Sequence, residues 1–206
     1  MPRAFAKIAF TPAVRAQQAR MGSARSYGRF LADDIGGGDR LGPAEAAFIA
    51  ARDGMYQATV SETGWPYVQF RGGLPGFLRV IDDRTIGYAD LRGNRQYISL
   101  GNLAGDDRVA LILVDYPNRR RLKIWGRARV TEGTDAAKAL MPDGQGTPPE
   151  RAVLIGVEAF DWNCQRHIPE RYTLDELEPQ LAALRQHLQD LEDENRRLKE
   201  ALAAQG

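Results

Sequence analysis

FLRVIDDRTIGYADLRGNRQY, residues 77–97, is the stretch that decides the fold. Two β-friendly segments, Phe77–Ile81 and Thr85–Ala89, flank the polar turn Asp82-Asp83-Arg84, which is a hairpin signal. The chain then passes through a glycine-containing loop into an apolar pattern that predicts a helix near Asn94–Leu103. A β-hairpin followed by a single helix is therefore the first predicted unit.

Further segments with strand character lie on both sides of this hairpin. They are short and are joined mostly by turns: Met55–Ser61, Tyr67–Arg71, Val109–Tyr116, Leu122–Val130 and Val153–Phe160. Such a succession favours an antiparallel barrel over a doubly wound parallel sheet. We therefore predict a mainly β fold with flanking helices.

The strand-rich region is the middle one of three. Residues 1–54 are rich in Ala and Arg, and their clearest helix begins at Pro43 and runs to Gly54. Residues 55–172 form the predicted barrel domain, and residues 173–206 form a C-terminal helix. The predicted organisation is thus a helical segment, a β domain and a terminal helix.

The C-terminal helix carries the most regular pattern in the chain. Apolar positions alternate in steps of four and three along Leu177, Leu181, Leu184, Leu188, Leu191, Asn195, Leu198 and Leu202. This pattern is a coiled-coil heptad, and its single Asn at an a position is typical of parallel helices in register. A helix packed on its own domain is the alternative interpretation. Because the remaining faces are charged, we favour a two-chain coil that reinforces a dimer made by the barrel.

The charge balance excludes several classes of partner. The 206 residues include 28 basic and 27 acidic side chains, so the formal net charge is +1. Nonspecific electrostatic binding of the whole protein to nucleic acid or to an acidic membrane is therefore not expected. By region, residues 173–206 hold 4 basic and 8 acidic residues, which leaves the rest of the chain moderately basic.

The compartment follows from cysteine content and from the apolar runs. A lone Cys164 excludes an intramolecular disulfide framework. The first ten residues have no apolar core of a secretory signal, and the longest apolar run, Val109–Val114, is too short to span a bilayer. We expect a soluble cytoplasmic protein with neither membrane nor nucleic acid as partner.

Three groups of residues are candidates for binding an anion. Arg71-Gly72-Gly73 ends one strand, and Asn94-Arg95-Gln96 opens the predicted helix, where free N–H groups attract phosphate. A third group lies on one face of a later strand and would suit a flat anionic aromatic ligand: Arg121, Lys123 and Trp125. Taken singly, the basic run could be a solvated hairpin tip and the two glycines a β-bulge. Together they favour a local anion site.

Several motifs resemble those of the pyridoxamine 5′-phosphate oxidase-like FMN-binding proteins. The similar segments are YVQFRGG at 67–73, GYAD at 87–90, GNRQY at 93–97, RVAL at 108–111 and WGRARV at 125–130. The resemblance covers about residues 44–172 and implies a split β-barrel homodimer with FMN held noncovalently at the subunit interface.

The resemblance also implies roles for individual residues. Arg71 and Arg95 would bind the flavin phosphate, and the strand segment Tyr88, Ala89 and Asp90 would lie beside the flavin. Arg121 or Lys123 would reach the ring from the partner subunit. The chain departs from the oxidase itself at Ala89, at Arg95 and in its C-terminal tail, so oxidation of pyridoxamine phosphate does not follow from the resemblance.

The tail segment before the terminal helix supplies a predicted substrate pocket, formed by Trp162, His167 and Arg171. Cys164 and His167 make at most half of a metal site, so no metal is expected.

The predicted function is that of an FMN-dependent oxidoreductase acting on a small molecule, with a deazaflavin or haem ranked below FMN as the cofactor. A non-catalytic flavin-binding or sensing module, dimerised through the coil, is the alternative. A zipper-type transcription factor is excluded because the segment before the coil contains Pro169 and three acidic residues.

Overall fold

The computed structural model describes residues 3–32, 36–162 and 166–204. Seven strands form one sheet in which every neighbouring pair is antiparallel. They are β1 (Gly54–Val60), β2 (Pro66–Gly72), β3 (Leu78–Asp82), β4 (Thr85–Leu91), β5 (Arg108–Asp115), β6 (Arg120–Glu132) and β7 (Pro149–Trp162). The predicted mainly β fold with flanking helices is confirmed.

Four of the described α-helices precede β1 in the chain, two lie between strands and one follows β7. They are α1 (Arg3–Ala9), α2 (Pro12–Arg20), α3 (Ala24–Gly28), α4 (Pro43–Ala50), α5 (Ile98–Gly105), α6 (Thr134–Lys138) and α7 (Leu174–Ala203). Pro43 begins α4 as expected, but that helix ends at Ala50, and α6 was not predicted. None of these helices in the described ranges has both the length and the apolarity needed to cross a bilayer, and the expected cytoplasmic location stays a prediction.

The sheet order is β2-β1-β5-β6-β7-β4-β3. In a flat sheet β2 and β4 would be separated by five strand spacings, about 24 Å. The Arg71 side chain of β2 nevertheless bonds to Asp90 of β4 at 2.5 Å. The sheet therefore curls until its two edges approach, as a barrel requires.

A bulge in the two long strands contributes to this curvature. The register of β6 on β7 shifts between Trp125 and Gly126. A Cβ at Gly126 would lie 2.8 Å from the Cγ2 atom of Ile155 and would also collide with the Gly156 carbonyl. Only glycine permits this close approach, because nothing larger than hydrogen fits there.

The core lies on the concave side of the sheet. Alternate residues of the central strands are fully buried there, among them Leu111, Leu113, Leu122, Ile124 and Ile155. Residues 1–115 and 119–168 form one compact unit, so the N-terminal helices belong to the same unit as the strands. Residues 116–118 and 169–206 form a second unit.

Candidate functional site

A polar cavity lies where β2, the end of β4, the loop after β4 and the start of β7 meet. Its volume is about 180 Å³, and its charged lining includes Arg71, Asp90, Arg95, Glu150 and Arg151. Two predicted groups, the strand-end arginine and the Asn94-Arg95-Gln96 loop, are thus brought together. Three arginines against two carboxylates make the lining suitable for an anionic group.

The alternation of β2 directs Arg71 into the cavity. Tyr67, Gln69 and Arg71 are half-buried and line it, whereas Val68 and Phe70 on the other face are exposed. The Nη1 atom of Arg71 donates to Asp90, and its Nε atom is buried without a hydrogen-bond partner among the described residues. The Nε–H of Arg71 is therefore a donor that the described residues leave unsatisfied beside the cavity. An anion is the kind of partner that suits a guanidinium, which can bind it through two N–H groups.

Asp90 joins Arg71 to a second arginine, Arg151. The two residues are cross-strand partners in the β4–β7 ladder, and Arg151 Nη1 donates to Asp90 Oδ2 at 2.9 Å. Arg151 also contacts Glu132 and Glu150 at 3.2 Å and 3.1 Å. Burial lowers the pKa of Arg151, but its hydrogen bonds to Asp90 and Glu132 outweigh this and raise the pKa above its ordinary value. Asp90 thus fixes two guanidinium groups side by side.

The loop before α5 adopts an unusual backbone conformation. Arg95 and Tyr97 both have positive φ, at 62° and 54°. The Asn94 side chain accepts a hydrogen bond from the Gln96 amide at 3.2 Å, and Arg95 Nε donates to the Tyr97 hydroxyl at 3.3 Å. The Tyr97 ring packs under Arg151, 5.2 Å from its guanidinium carbon. This strained loop is held by the same charged cluster that holds Arg71.

Helix α5 begins later than the sequence predicts. The sequence predicts helix from about Asn94 with Arg95 in its first turn, but α5 begins at Ile98 and has Tyr97 as its N-cap. Arg95 therefore lies in the loop, where its side chain is exposed at the mouth of the cavity. The positive φ of Arg95 and Tyr97 is incompatible with a continuous right-handed helix.

The family model for pyridoxamine 5′-phosphate oxidase matches residues 41–163 of this chain. The match covers more than half of the chain and includes all the strands. The chain belongs to the pyridoxamine 5′-phosphate oxidase family. No curated protein sequence matches it significantly.

The chain is similar to several solved structures, of which HupZ shares its fold. HupZ from Group A Streptococcus is 19% identical with a TM-score of 0.50, and the match covers 64% of this chain and 99% of HupZ. A Clostridium acetobutylicum protein related to general stress protein 26, of the pyridoxinephosphate oxidase family, is 16% identical at a TM-score of 0.43, over 64% and 92%. General stress protein 26 from Bacillus anthracis is 13% identical at a TM-score of 0.43, over 56% of this chain and 88% of the other.

Other residues that the family resemblance suggests for the flavin lie outside this cavity within one protomer. Tyr88 points into the core, where its hydroxyl donates to Gln57 Oε1 at 2.8 Å, and burial raises its pKa to about 12. Ala89, its neighbour on the other face of β4, does not line the cavity either. Of the segment Tyr88, Ala89 and Asp90, only Asp90 contributes a side chain to the cavity.

The glycines after Arg71 have a packing explanation. A Cβ at Gly72 would lie 2.9 Å from the Asp53 carbonyl, and one at Gly73 would lie 2.9 Å from the Cβ of Phe77. The Gly73 amide also donates to the Asp53 carbonyl at 2.9 Å. Close approach of the protein to itself therefore accounts for both glycines, and neither lines the cavity.

Arg121, Lys123 and Trp125 share one face of β6, as their spacing predicts, because Leu122 and Ile124 between them are buried on the other. Helix α1 covers part of this face. Phe5 stacks on Trp125 at 4.4 Å, and Lys123 Nζ lies 4.4 Å from the Phe5 ring centre and 3.1 Å from Asp161. The three residues do not line the cavity of their own protomer.

The three residues of the predicted substrate pocket have separate surroundings. Trp162 packs edge-on against Phe48, and its indole N–H donates to Glu45 at 2.7 Å. His167 is exposed and has a φ of 66°, and Arg171 lies over the Tyr116 ring. Neither Trp162 nor His167 lines the Arg71 cavity. Cys164 lies outside the described residues, and the assignment of the pocket stays a prediction.

Arg151 is the principal residue of the site that sequence reasoning missed. It follows a stretch rich in Pro and Gly, residues 141–150, whose sequence predicts a loop although β7 already begins at Pro149. No motif marks Arg151. Its importance comes from the β4–β7 register, which places it opposite Asp90. An Asp and an Arg 61 residues apart give no local signal of such pairing.

Proposed function

We propose that this protein is an FMN-dependent oxidoreductase that binds FMN noncovalently at the interface of a homodimer and acts on a small organic substrate. The observation that carries the proposal is the buried Nε donor of Arg71, which no described residue satisfies and which belongs to a residue lining the cavity together with a loop of unusual conformation. Membership of the pyridoxamine 5′-phosphate oxidase family supports the same conclusion.

The residues present suit the phosphate end of FMN. Arg71 would bind two of the phosphate oxygens, and Arg95, exposed at the cavity mouth, would add a second positive charge. Asp90 and Arg151 would keep the Arg71 guanidinium oriented while the anion binds. When bound, FMN itself supplies the exchange of a hydride or of electrons with the substrate.

The size of the cavity favours a site shared between two subunits. Its volume of about 180 Å³ is below the roughly 300–1,000 Å³ of typical ligand pockets, so the flavin ring would extend beyond one protomer. The outer faces of β2, β1 and β5 carry exposed apolar side chains, namely Tyr56, Val68, Phe70 and Ile112. Such a patch is typical of a protein–protein interface.

The partner's contribution to the ring would come from Arg121 rather than Lys123. Lys123 is already bonded to the buried carboxylate of Asp161 and covered by Phe5. Arg121 has a buried Nε without a hydrogen-bond partner among the described residues. Arg121 is therefore the stronger candidate, because its Nε donor is not satisfied by the described residues of its own chain, whereas Lys123 already has a carboxylate partner.

The test compares FMN with riboflavin, which lacks the phosphate. We expect the protein to bind FMN, and we expect Arg71→Gln to weaken FMN binding by at least about 100-fold, because two charge-assisted hydrogen bonds of about 1.5–3 kcal/mol each are lost. Riboflavin binding should change little. Titrations followed by flavin fluorescence measure both, and Arg84→Gln, at an exposed arginine paired with Asp39, is the matched control. A protein that binds no added FMN, or an equal loss for both ligands, would contradict the proposal.

A non-catalytic flavin-binding or sensing module is the second candidate, favoured by the exposed leucine stripe of α7, which could couple flavin binding to association. Reduction by a nicotinamide or by a substrate separates the two, because only the enzyme should bleach the bound flavin repeatedly under turnover. His167→Ala belongs in the same assay. An unchanged rate of flavin reduction would remove His167 from the proposed substrate pocket of Trp162, His167 and Arg171.

A further inference from the structure

Helix α7 presents an apolar stripe to solvent along its length. The helix has 30 residues and begins at a capping box in which Thr173 and Glu176 bond each other's backbone amides. The exposed fractions of five of its heptad leucines are large: 55% for Leu184, 52% for Leu188, 46% for Leu191, 61% for Leu198 and 78% for Leu202. A helix of about 45 Å with this much apolar surface exposed is typical of one that pairs with another helix.

We propose that the α7 stripe pairs with the α7 stripe of a second copy of this chain, as a parallel two-stranded coiled coil in register. The stripe is complementary to itself, because every position from Leu177 to Leu202 follows the heptad without interruption. Leucine layers of this kind bury each other best when two identical helices supply them. This association is independent of FMN and goes beyond the proposed function.

The charged residues beside the stripe would face opposite charges on a second copy of α7 in either orientation. In a parallel pair, Glu194 would face Lys199 of the second copy. In a fully overlapping antiparallel pair, Glu178 would face Lys199 and Arg185 would face Glu192. Charge therefore favours a second copy as the partner but does not choose the direction.

Asn195 determines whether the two helices run parallel or antiparallel. In a parallel pair in register, the two Asn195 amides meet and hydrogen-bond each other. In the antiparallel pair, each Asn195 would lie opposite Leu184, so both amides would be buried without a partner. A buried amide without a partner costs several times what an exposed ion pair contributes, so the parallel arrangement is favoured.

Disulfide crosslinking of the full-length chain tests this arrangement, in a Cys164→Ser background so that only the introduced thiol reacts. In a parallel pair, residue 181 faces its own counterpart within the reach of a disulfide. In the antiparallel pair the two copies of residue 181 are about 25 Å apart. We expect Leu181→Cys to give a disulfide-linked dimer under mild oxidation, at least about tenfold more than Ala183→Cys, whose side chain lies on the outer face of the coil.

Two further measurements make the proposal falsifiable. A mixture of Leu181→Cys and Leu198→Cys chains should give no mixed disulfide, since only the antiparallel pair brings these positions together. In sedimentation equilibrium, Asn195→Leu should convert the uniform dimer into a mixture with larger assemblies. Equal crosslinking of Leu181→Cys and Ala183→Cys, or a mixed 181–198 disulfide, would overturn the proposal. The FMN spectrum, read on the same samples, keeps a failure of the coil distinct from a failure of the flavin site.

Discussion

Two ion pairs of almost equal length show how differently the cavity and the terminal helix are built. Arg151 and Asp90 are 2.9 Å apart with side chains only 9% and 10% exposed, whereas Arg185 and Glu178 are 2.7 Å apart and 67% and 57% exposed. The first pair joins residues 61 positions apart and the second joins residues 7 apart. Burial, not distance, decides what each pair contributes.

The buried pair matters for the candidate site, whereas the exposed pair does not. The buried pair belongs to a cluster that orients Arg71 and packs on Tyr97, so losing one member disturbs the whole cavity. The exposed pair shares its charges with water and holds nothing else in place. Four experiments, in order of decreasing expected effect, test whether burial governs what a side chain contributes to stability.

The largest effect is expected for Arg151→Met. This change leaves one oxygen of the buried Asp90 carboxylate without its partner, and we expect the free energy of unfolding to fall by about 3 kcal/mol. Urea denaturation followed by tryptophan fluorescence measures it. Arg127→Met is the matched control, because Arg127 likewise bonds more than one carboxylate, Asp107 and Glu158, but is half exposed. Equal losses in the two variants would show that burial does not govern these pairs.

A second experiment uses the buried hydroxyl of Tyr88. Its pKa is raised by burial to about 12, whereas the unfolded chain releases this proton near pH 10. Above pH 10 the unfolded state therefore loses a proton that the folded state keeps, so stability falls as pH rises, by about 2 kcal/mol at pH 12. Urea denaturation from pH 9 to 12 should show this fall in the wild type and a smaller one in Tyr88→Phe. Parallel pH profiles would contradict the assignment.

Helix α1 offers an intermediate case, since it is short and held by tertiary contacts. Phe5→Ala removes the stacking on Trp125 and the contact with Lys123. We expect trypsin to cleave after Lys7 about tenfold faster, because the free energy of local opening of α1 falls by about 1.4 kcal/mol. Ile8→Ala, on the same helix but 43% exposed, should change the rate far less. Similar rates in both variants would mean that Phe5 does not hold α1 to β6.

The smallest effect is expected for Arg185→Ala. Its exposed pair with Glu178 should contribute less than about 0.5 kcal/mol, so thermal unfolding of the full chain, followed by circular dichroism, should be almost unchanged. A loss above about 1 kcal/mol would show that this pair is shielded from water in solution.

The sequence predicted the strands well because their signals are local. The predicted turn connects β3 and β4, with Asp82 as the last residue of β3 and Asp83 and Arg84 between the strands. The alternation in β6 put Arg121, Lys123 and Trp125 on one face. The start of α5 was placed wrongly because Arg95 and Tyr97 adopt left-handed conformations, and the Tyr97 ring packs on Arg151 of β7. Propensity scales describe single residues, so they carry no information about the packing of the distant Arg151 side chain on Tyr97.

Two kinds of information can therefore be separated in this chain. The sequence by itself determined the mainly β architecture, the long terminal helix and the candidacy of Arg71 and Arg95, because periodicity and turn chemistry act over a few residues. Only the tertiary structure decided that Asp90 and Arg151 hold Arg71, that the two glycines pack on the protein and that α1 covers Lys123. These contacts depend on strand order and on the curling of the sheet, which bring together residues that are far apart along the chain.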